Sequence, residues 1–156
     1  INHGLFIYLS RRLTIRIYDK IVVQFSVVAN EPNAAQSGDT PPREKRMNFN
    51  ALHQQNQPLL LANVWDASSA QAAQQAGYQA LGSSSAAIAA MLGMKDGEEM
   101  KFDELLYIVS RIKAVSELPL SVDLEAGYSA TTSHIIDNIQ RLAHLGVSGI
   151  NLEDSH

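Results

Sequence analysis

Four short apolar runs recur along this chain, each followed closely by polar side chains: residues 59–64 (LLLANV), 78–82, 118–124 (LPLSVDL) and 147–152 (VSGINL). Apolar runs of this length, bounded by turn residues, read as buried strands. Pro119 stands at the start of the third run, where no ladder donor is needed. The stretches between them have helical character. Asp66 is placed to open an alanine-rich helix over 67–76, which Gly77 ends. A short helix over 86–92 gives way to a polar, two-glycine loop at 93–100. Over 102–115 the apolar residues fall at 102, 105, 106, 108, 109, 112 and 115, with Asp103 and Glu104 favourably placed in the first turn. A last helix over 131–145 is expected to bury Ile135, Ile136, Ile139, Leu142 and Leu145 before Gly146 stops it. The order βα, βα, βα, β, in units of about 30 residues, implies a parallel sheet with right-handed crossovers.

Two α/β architectures fit that order, a doubly wound sheet and a (β/α)₈ TIM barrel. Polar groups gather after successive strand ends: Asp66, the serines at 83–85, Asp123 with Glu125, and Glu153 with Asp154. That arrangement is how a barrel builds its site. No G-x-G-x-x-G follows the first strand, which disfavours a dinucleotide fold. A full barrel runs to about 250 residues. The expectation is therefore a (β/α)₈ barrel truncated to about its first four strands, with His156 an artificial end and open strand edges on either side.

The first 46 residues differ from the rest. They hold seven Lys and Arg against four Asp and Glu, whereas residues 47–156 hold five against twelve. The first methionine is Met47. Residues 30–46 read as a linker. Residues 21–28 read as a strand or a weak signal-peptide core, short and interrupted by Gln24 and Ser26. Residues 1–46 are accordingly expected to be a leader and linker outside the fold, and 47–156 the half barrel. The chain has no cysteine, which excludes disulfides, thiolate metal sites and a cysteine nucleophile within it. Five basic residues on the body make a poor phosphate-tracking surface, and no apolar run reaches 18 residues. Neither nucleic acid nor membrane is an expected partner, and a cytoplasmic location is expected.

Carboxylates carry the chemical signal. Asp123 and Glu125 stand two apart at a strand end, so strand alternation would send both side chains the same way. Glu153 and Asp154 end the next strand. Three or four such groups at adjacent strand ends repel one another unless a cation joins them, and Mg²⁺ suits an oxygen-only site that keeps several waters. Capping of loops and following helices is the competing role. Asp96, in G-M-K-D-G-E-E, reads by itself as a turn aspartate. Ser83, Ser84 and Ser85 precede a helix, where they either hold an anion on free N–H groups or cap it. His134 and His144 do not share a helix face and read as surface residues. No serine–histidine or histidine-cluster spacing supports nucleophilic catalysis or zinc.

The body resembles the isocitrate lyase/phosphoenolpyruvate mutase superfamily, in particular its phosphoenolpyruvate-phosphonomutase-like branch. The resemblance runs from about Leu59 to Ser155 and rests on LLLANVWDASSAQAAQQAGYQALGSSSAAIAAMLGMKDGEE, LPLSVDLEAGY and GINLEDS, in that order. It implies a (β/α)₈ barrel, a homo-oligomer whose last helix is often swapped between subunits, and Mg²⁺ bound largely through water. It also implies α-keto acid or enolate chemistry on a small carboxylate. Asp123 matches the aspartate nearest the metal, and Glu153 the glutamate of the strand-four E-D pair. Glu125 stands where many members carry an aspartate one methylene shorter. Asp96 matches the family's essential loop aspartate. Ser84, Ser85 and Ala86 match the stretch whose hydroxyl and N–H groups hold the substrate carboxylate and keto oxygen. The loop that separates lyases (K-[KR]-C-G-H in type) from mutases and phosphonate hydrolases would follow His156.

The implied activity is Mg²⁺-dependent and lyase-like. A C–C or P–C bond of a 2-keto or 2-hydroxy carboxylate breaks through a metal-stabilised enolate, with Asp123, Glu125 and Glu153 around the ion. The rivals are a catalytically inactive truncated remnant or interaction module of the same fold, and a class II aldolase-type barrel. The lack of a histidine cluster argues against the aldolase.

Overall fold

Local punctuation sets the element ends. The computed structural model describes residues 49–97 and 99–153, together with the backbone of 22–24. The elements are β1 (Val22–Gln24), α1 (Phe49–His53), β2 (Leu61–Val64), α2 (Ala67–Gln75), β3 (Ala80–Ser83), α3 (Ser85–Met91), α4 (Phe102–Val115), β4 (Leu120–Asp123), α5 (Thr132–His144) and β5 (Gly149–Asn151). Asp66 starts α2 with a reciprocal cap: its carboxylate accepts the Ser69 N–H at 2.6 Å, and Ser69 Oγ accepts the Asp66 N–H at 3.1 Å. Gly77 and Gly146 follow α2 and α5 at φ of +84° and +78°, the left-handed conformation that ends a helix.

β2, β3, β4 and β5 are parallel neighbours, as the βα alternation requires. The helices α2, α3, α4 and α5 cover one face of this sheet. There Val64, Leu81, Leu120, Val122 and Ile150 pack with Ala70, Ala73, Ile88, Leu105, Val109, Ile112, Ile139 and Leu142 in one core. Burying each Leu- or Ile-sized side chain contributes about 1.5–3 kcal/mol. Arg141 of α5 joins α4 through Asp103 at 2.6 Å and lies 5.0 Å over the Phe102 ring. Among the described residues no helix is long and apolar enough to cross a membrane.

β1 falls within residues 21–28, where a strand is one of the two readings, and pairs antiparallel with β5 in the register Val22↔Asn151 and Gln24↔Gly149. Three features depart from the sequence pattern. The helix α1 was not anticipated, because five residues carry no readable period. Phe49 and Leu52 of α1 pack with Ala80 on the sheet face opposite the other helices. On α5, Asn138 is buried beside Ile139 and Leu142, whereas Ile135, Ile136 and Leu145 are only half-buried. The strands are also shorter than the apolar runs, since those runs include residues that enter and leave the sheet. Met47, Glu98, Asp154, His156, His3 and the linker at 30–46 lie outside the described residues.

Candidate active site

Alternation along parallel strands gives the sheet face opposite α2–α5 its own residue set. Leu61 and Asn63 on β2, Gly82 on β3, Ser121 and Asp123 on β4, and Asn151 on β5 line a cavity of about 400 Å³. Ser83, Ser84, Phe49 and His53 complete it. Register puts Asp123 beside Asn151 and Gly82 beside Ser121. Gly149 leaves room for the Phe49 ring, since a Cβ there would lie 2.9 Å from Phe49 Cε1. Phe49 also meets the His53 ring edge-on at 4.6 Å, and partial burial holds the His53 imidazole below its ordinary pKa.

Asp123, half-buried at the C-terminal end of β4, is gripped from both neighbouring strands. Its N–H donates to Ser83 Oγ at 2.9 Å. Its Oδ2 accepts Ser85 Oγ–H at 2.8 Å and the Ser85 N–H at 3.4 Å. Its Oδ1 accepts from Asn151 Nδ2 at 3.4 Å. The start of α3, just past β3, and the end of β5 thus converge on the carboxylate at the end of β4.

Glu125 reaches the same place by a different route from the one alternation predicts. The strand ends at Asp123, and Glu125 adopts φ of +51°, so a left-handed turn sets its side chain rather than the pleat. Its carboxyl is pushed above the ordinary glutamate value, first by burial and then by the like charges of Asp123, Asp96 and Glu153, while Ser85 opposes the shift by hydrogen bonding. All four sequence-predicted carboxylates therefore share one electrostatic neighbourhood. Asp96 sits exposed in the turn after α3. Glu153 is exposed just past β5, and its N–H donates to the Glu125 carbonyl at 2.7 Å.

The serine stretch divides its roles. Ser84 caps α3, its Oγ accepting the Ala87 N–H at 3.3 Å, and its own N–H donates to the Val64 carbonyl. Ser85 faces Asp123, and Ala86 is exposed in the first turn of α3. Asp66 belongs to the α2 cap, which lowers its pKa. His134 and His144 are exposed on α5. The sequence reasoning missed Asn63, Ser121 and Asn151; period-two counting back from Asp123 and Glu153 would have found Ser121 and Asn151, whereas Asn63 lies an odd number of residues before Asp66 and is placed only by the register of β2.

The donor set is all oxygen, and its members repel one another, which suits a hard divalent cation. Among the described residues no three carboxylate or imidazole groups stand close enough to hold an ion by themselves.

This strand-end arrangement coincides with a match over residues 49–156 to the family described as phosphoenolpyruvate phosphomutase. The chain belongs to the phosphoenolpyruvate phosphomutase family. Within the wider isocitrate lyase/phosphoenolpyruvate mutase superfamily, it is 35% identical over 109 residues to an uncharacterised protein of Mycobacterium tuberculosis, covering 70% of this chain and 41% of that protein. It is 32% identical over 107 residues to 2-methylisocitrate lyase of Escherichia coli K12, covering 68% of this chain and 36% of the lyase. Among solved structures, a Burkholderia cenocepacia protein assigned as a phosphonomutase superposes with a TM-score of 0.67 at 41% identity, over 72% of this chain and 45% of that one. As a phosphoenolpyruvate phosphomutase family member the chain has the partial (β/α)₈ architecture that its four parallel strands display. It spans about two fifths of the length of the curated relatives it matches.

Proposed function

We propose that this chain carries the ion-binding half of a Mg²⁺-dependent, lyase-like active site. Its substrate is a small 2-keto or 2-hydroxy carboxylate, in which a C–C or P–C bond is broken. The observation that carries the reading is the gathering of Asp96, Asp123, Glu125 and Glu153 at one end of the parallel strands, where burial first, and then its three acidic neighbours, disfavour Glu125 as an anion. When bound, the cation supplies Lewis-acid stabilisation of negative charge developing on the substrate oxygen. Asp123 is the direct anchor, pre-oriented by Ser85 and Asn151. Glu125 and Glu153 hold the ion's waters. Asp96, on its exposed turn, orients water or substrate. Ser84, Ser85 and Ala86 form the rim that receives the substrate carboxylate. The family membership and the similarity to 2-methylisocitrate lyase support this chemistry.

The test is thermal unfolding of the chain with Mg²⁺ against Na⁺ at matched ionic strength. An ion that binds only the native state stabilises it by about 2.7 kcal/mol at a hundredfold excess over Kd. Mg²⁺ is expected to raise the midpoint, Asp123→Ala to abolish the rise, and Asp96→Ala to leave most of it. Equal midpoints in the two salts would overturn the reading.

A further inference from the structure

The core-facing side of α5 contains an amide where an aliphatic side chain would pack. Asn138 is 9% exposed and lies next to Ile139 and across one turn from Leu142. A polar group in such a place costs free energy unless it is bonded. Its Nδ2 donates to the Gly127 carbonyl at 3.0 Å, so α5 is tied to the segment that carries Glu125.

That segment, residues 124–128, has an unusual backbone. Glu125, Gly127 and Tyr128 have φ of +51°, +98° and +57°. Two of the three are not glycine, and such conformations persist only where the surroundings over-determine them. Backbone bonds supply part of the restraint: Leu124 N–H to the Asn151 carbonyl, Gly127 N–H to the Leu124 carbonyl, and Glu153 N–H to the Glu125 carbonyl, at 2.7–2.8 Å. Ile135 supplies another part by packing onto Gly127 so closely that a Cβ there would lie 2.8 Å from it. The side-chain bond from Asn138 adds a further restraint.

We propose that Asn138 is a positioning residue that acts through the Gly127 carbonyl to hold Glu125 in the left-handed turn placing its carboxylate beside Asp123. The proposal rests on the ion site argued above. Asn138 touches neither ion nor substrate. It fixes the segment that delivers one of the groups around the ion, and losing such outer support typically weakens metal binding by about 10- to 100-fold.

The experiment titrates Mn²⁺, a paramagnetic stand-in for Mg²⁺, into the full chain and reads free ion by electron paramagnetic resonance. The variants are Asn138→Asp, which keeps the shape but loses the donor, Asn138→Leu, which suits the apolar surroundings, and the neighbouring core control Ile139→Val. Both Asn138 variants are expected to bind Mn²⁺ about tenfold more weakly. Ile139→Val is expected to lower the melting midpoint without moving the affinity. Amide exchange adds a readout that needs no ion: Gly127 and Glu153 should exchange faster in the Asn138 variants, while Val122 and Ile150 keep their protection. Unchanged Mn²⁺ affinity in the Asn138 variants, with binding lost in Asp123→Ala, would overturn the positioning role and leave the ion site standing. Absence of Mn²⁺ binding by the unmodified chain, or equal binding by Asp123→Ala, would overturn both. Loss of the fold in both Asn138 variants would make the residue structural and overturn the proposal too.

Discussion

The two faces of the parallel sheet alternate along the same strands, yet they carry opposite kinds of residue. Towards the helices stand Val64, Leu81, Leu120, Val122 and Ile150, all fully buried. One residue away on each strand stand Asn63, Gly82, Ser121, Asp123, Gly149 and Asn151, small or polar. The first set supplies hydrophobic stabilisation and fixes how the crossover helices pack. The second set provides little burial, but it leaves space and presents oxygen and amide groups at the strand ends. A pleat of period two lets one strand serve both purposes, because a change on one face leaves the other face's packing almost untouched.

The largest expected effect lies on the helix-covered face. Leu120→Ala removes a fully buried side chain and should cost about 3 kcal/mol in denaturant unfolding. Its neighbour Ser121→Ala, on the opposite face, should cost less than about 1 kcal/mol. Equal costs would break the division between the faces.

The turn that leaves the sheet comes next. Gly127→Ala meets two obstacles, a φ of +98° and a Cβ 2.8 Å from Ile135. A loss of about 2 kcal/mol is expected, read as a lower midpoint. A neutral result would show that the turn adapts freely, and Glu125 would then be held less firmly than its surroundings imply.

Asp66 sharpens the contrast between acids that cap and acids that converge. Asp66→Ala should cost about 1 kcal/mol at neutral pH through loss of the α2 cap. The Ser69 N–H and hydroxyl hold the Asp66 pKa below 3.8, so the native state favours the ionised form. The cap's contribution is then fully present above the unfolded-state pKa and disappears as pH falls through the lower folded value. The stability difference between Asp66→Ala and the unmodified chain should therefore shrink below about pH 4. A difference that is flat down to pH 2 would remove the charged cap from the account.

The smallest effect is expected at the other edge. We propose residues 47–156 as the folding unit, with β1 an addition along β5. A chain starting at Met47 should keep the same circular dichroism per described element. Unfolding of that shorter chain would make the preceding segment part of the fold.

Much of this organisation was legible in one dimension. The strands β2 to β5 and the helices α2, α4 and α5 follow from apolar runs and helical spacing, which depend on near neighbours alone. Asp66 was recognisable as a cap because capping is an interaction across three residues. The acids Asp123, Glu125 and Glu153 were marked out by following apolar runs. Other features needed the assembled molecule. The five residues of α1 are too few to show a period, and Phe49 finds its place only because Gly149 leaves a gap. Strand alternation was the wrong reason for pairing Glu125 with Asp123. Their proximity depends on a left-handed turn, which Ile135 and Asn138 support from a helix packed on that turn.

What the sequence by itself determined is therefore the order of elements, the helix-facing core and the acidic strand ends, because each is written in periodicities a few residues long. Only the tertiary structure decided that Ser85 and Asn151, 38 and 28 residues away along the chain, close on the two oxygens of Asp123. Parallel register brings these strand ends together, and register is set by the whole packed sheet rather than by any one strand.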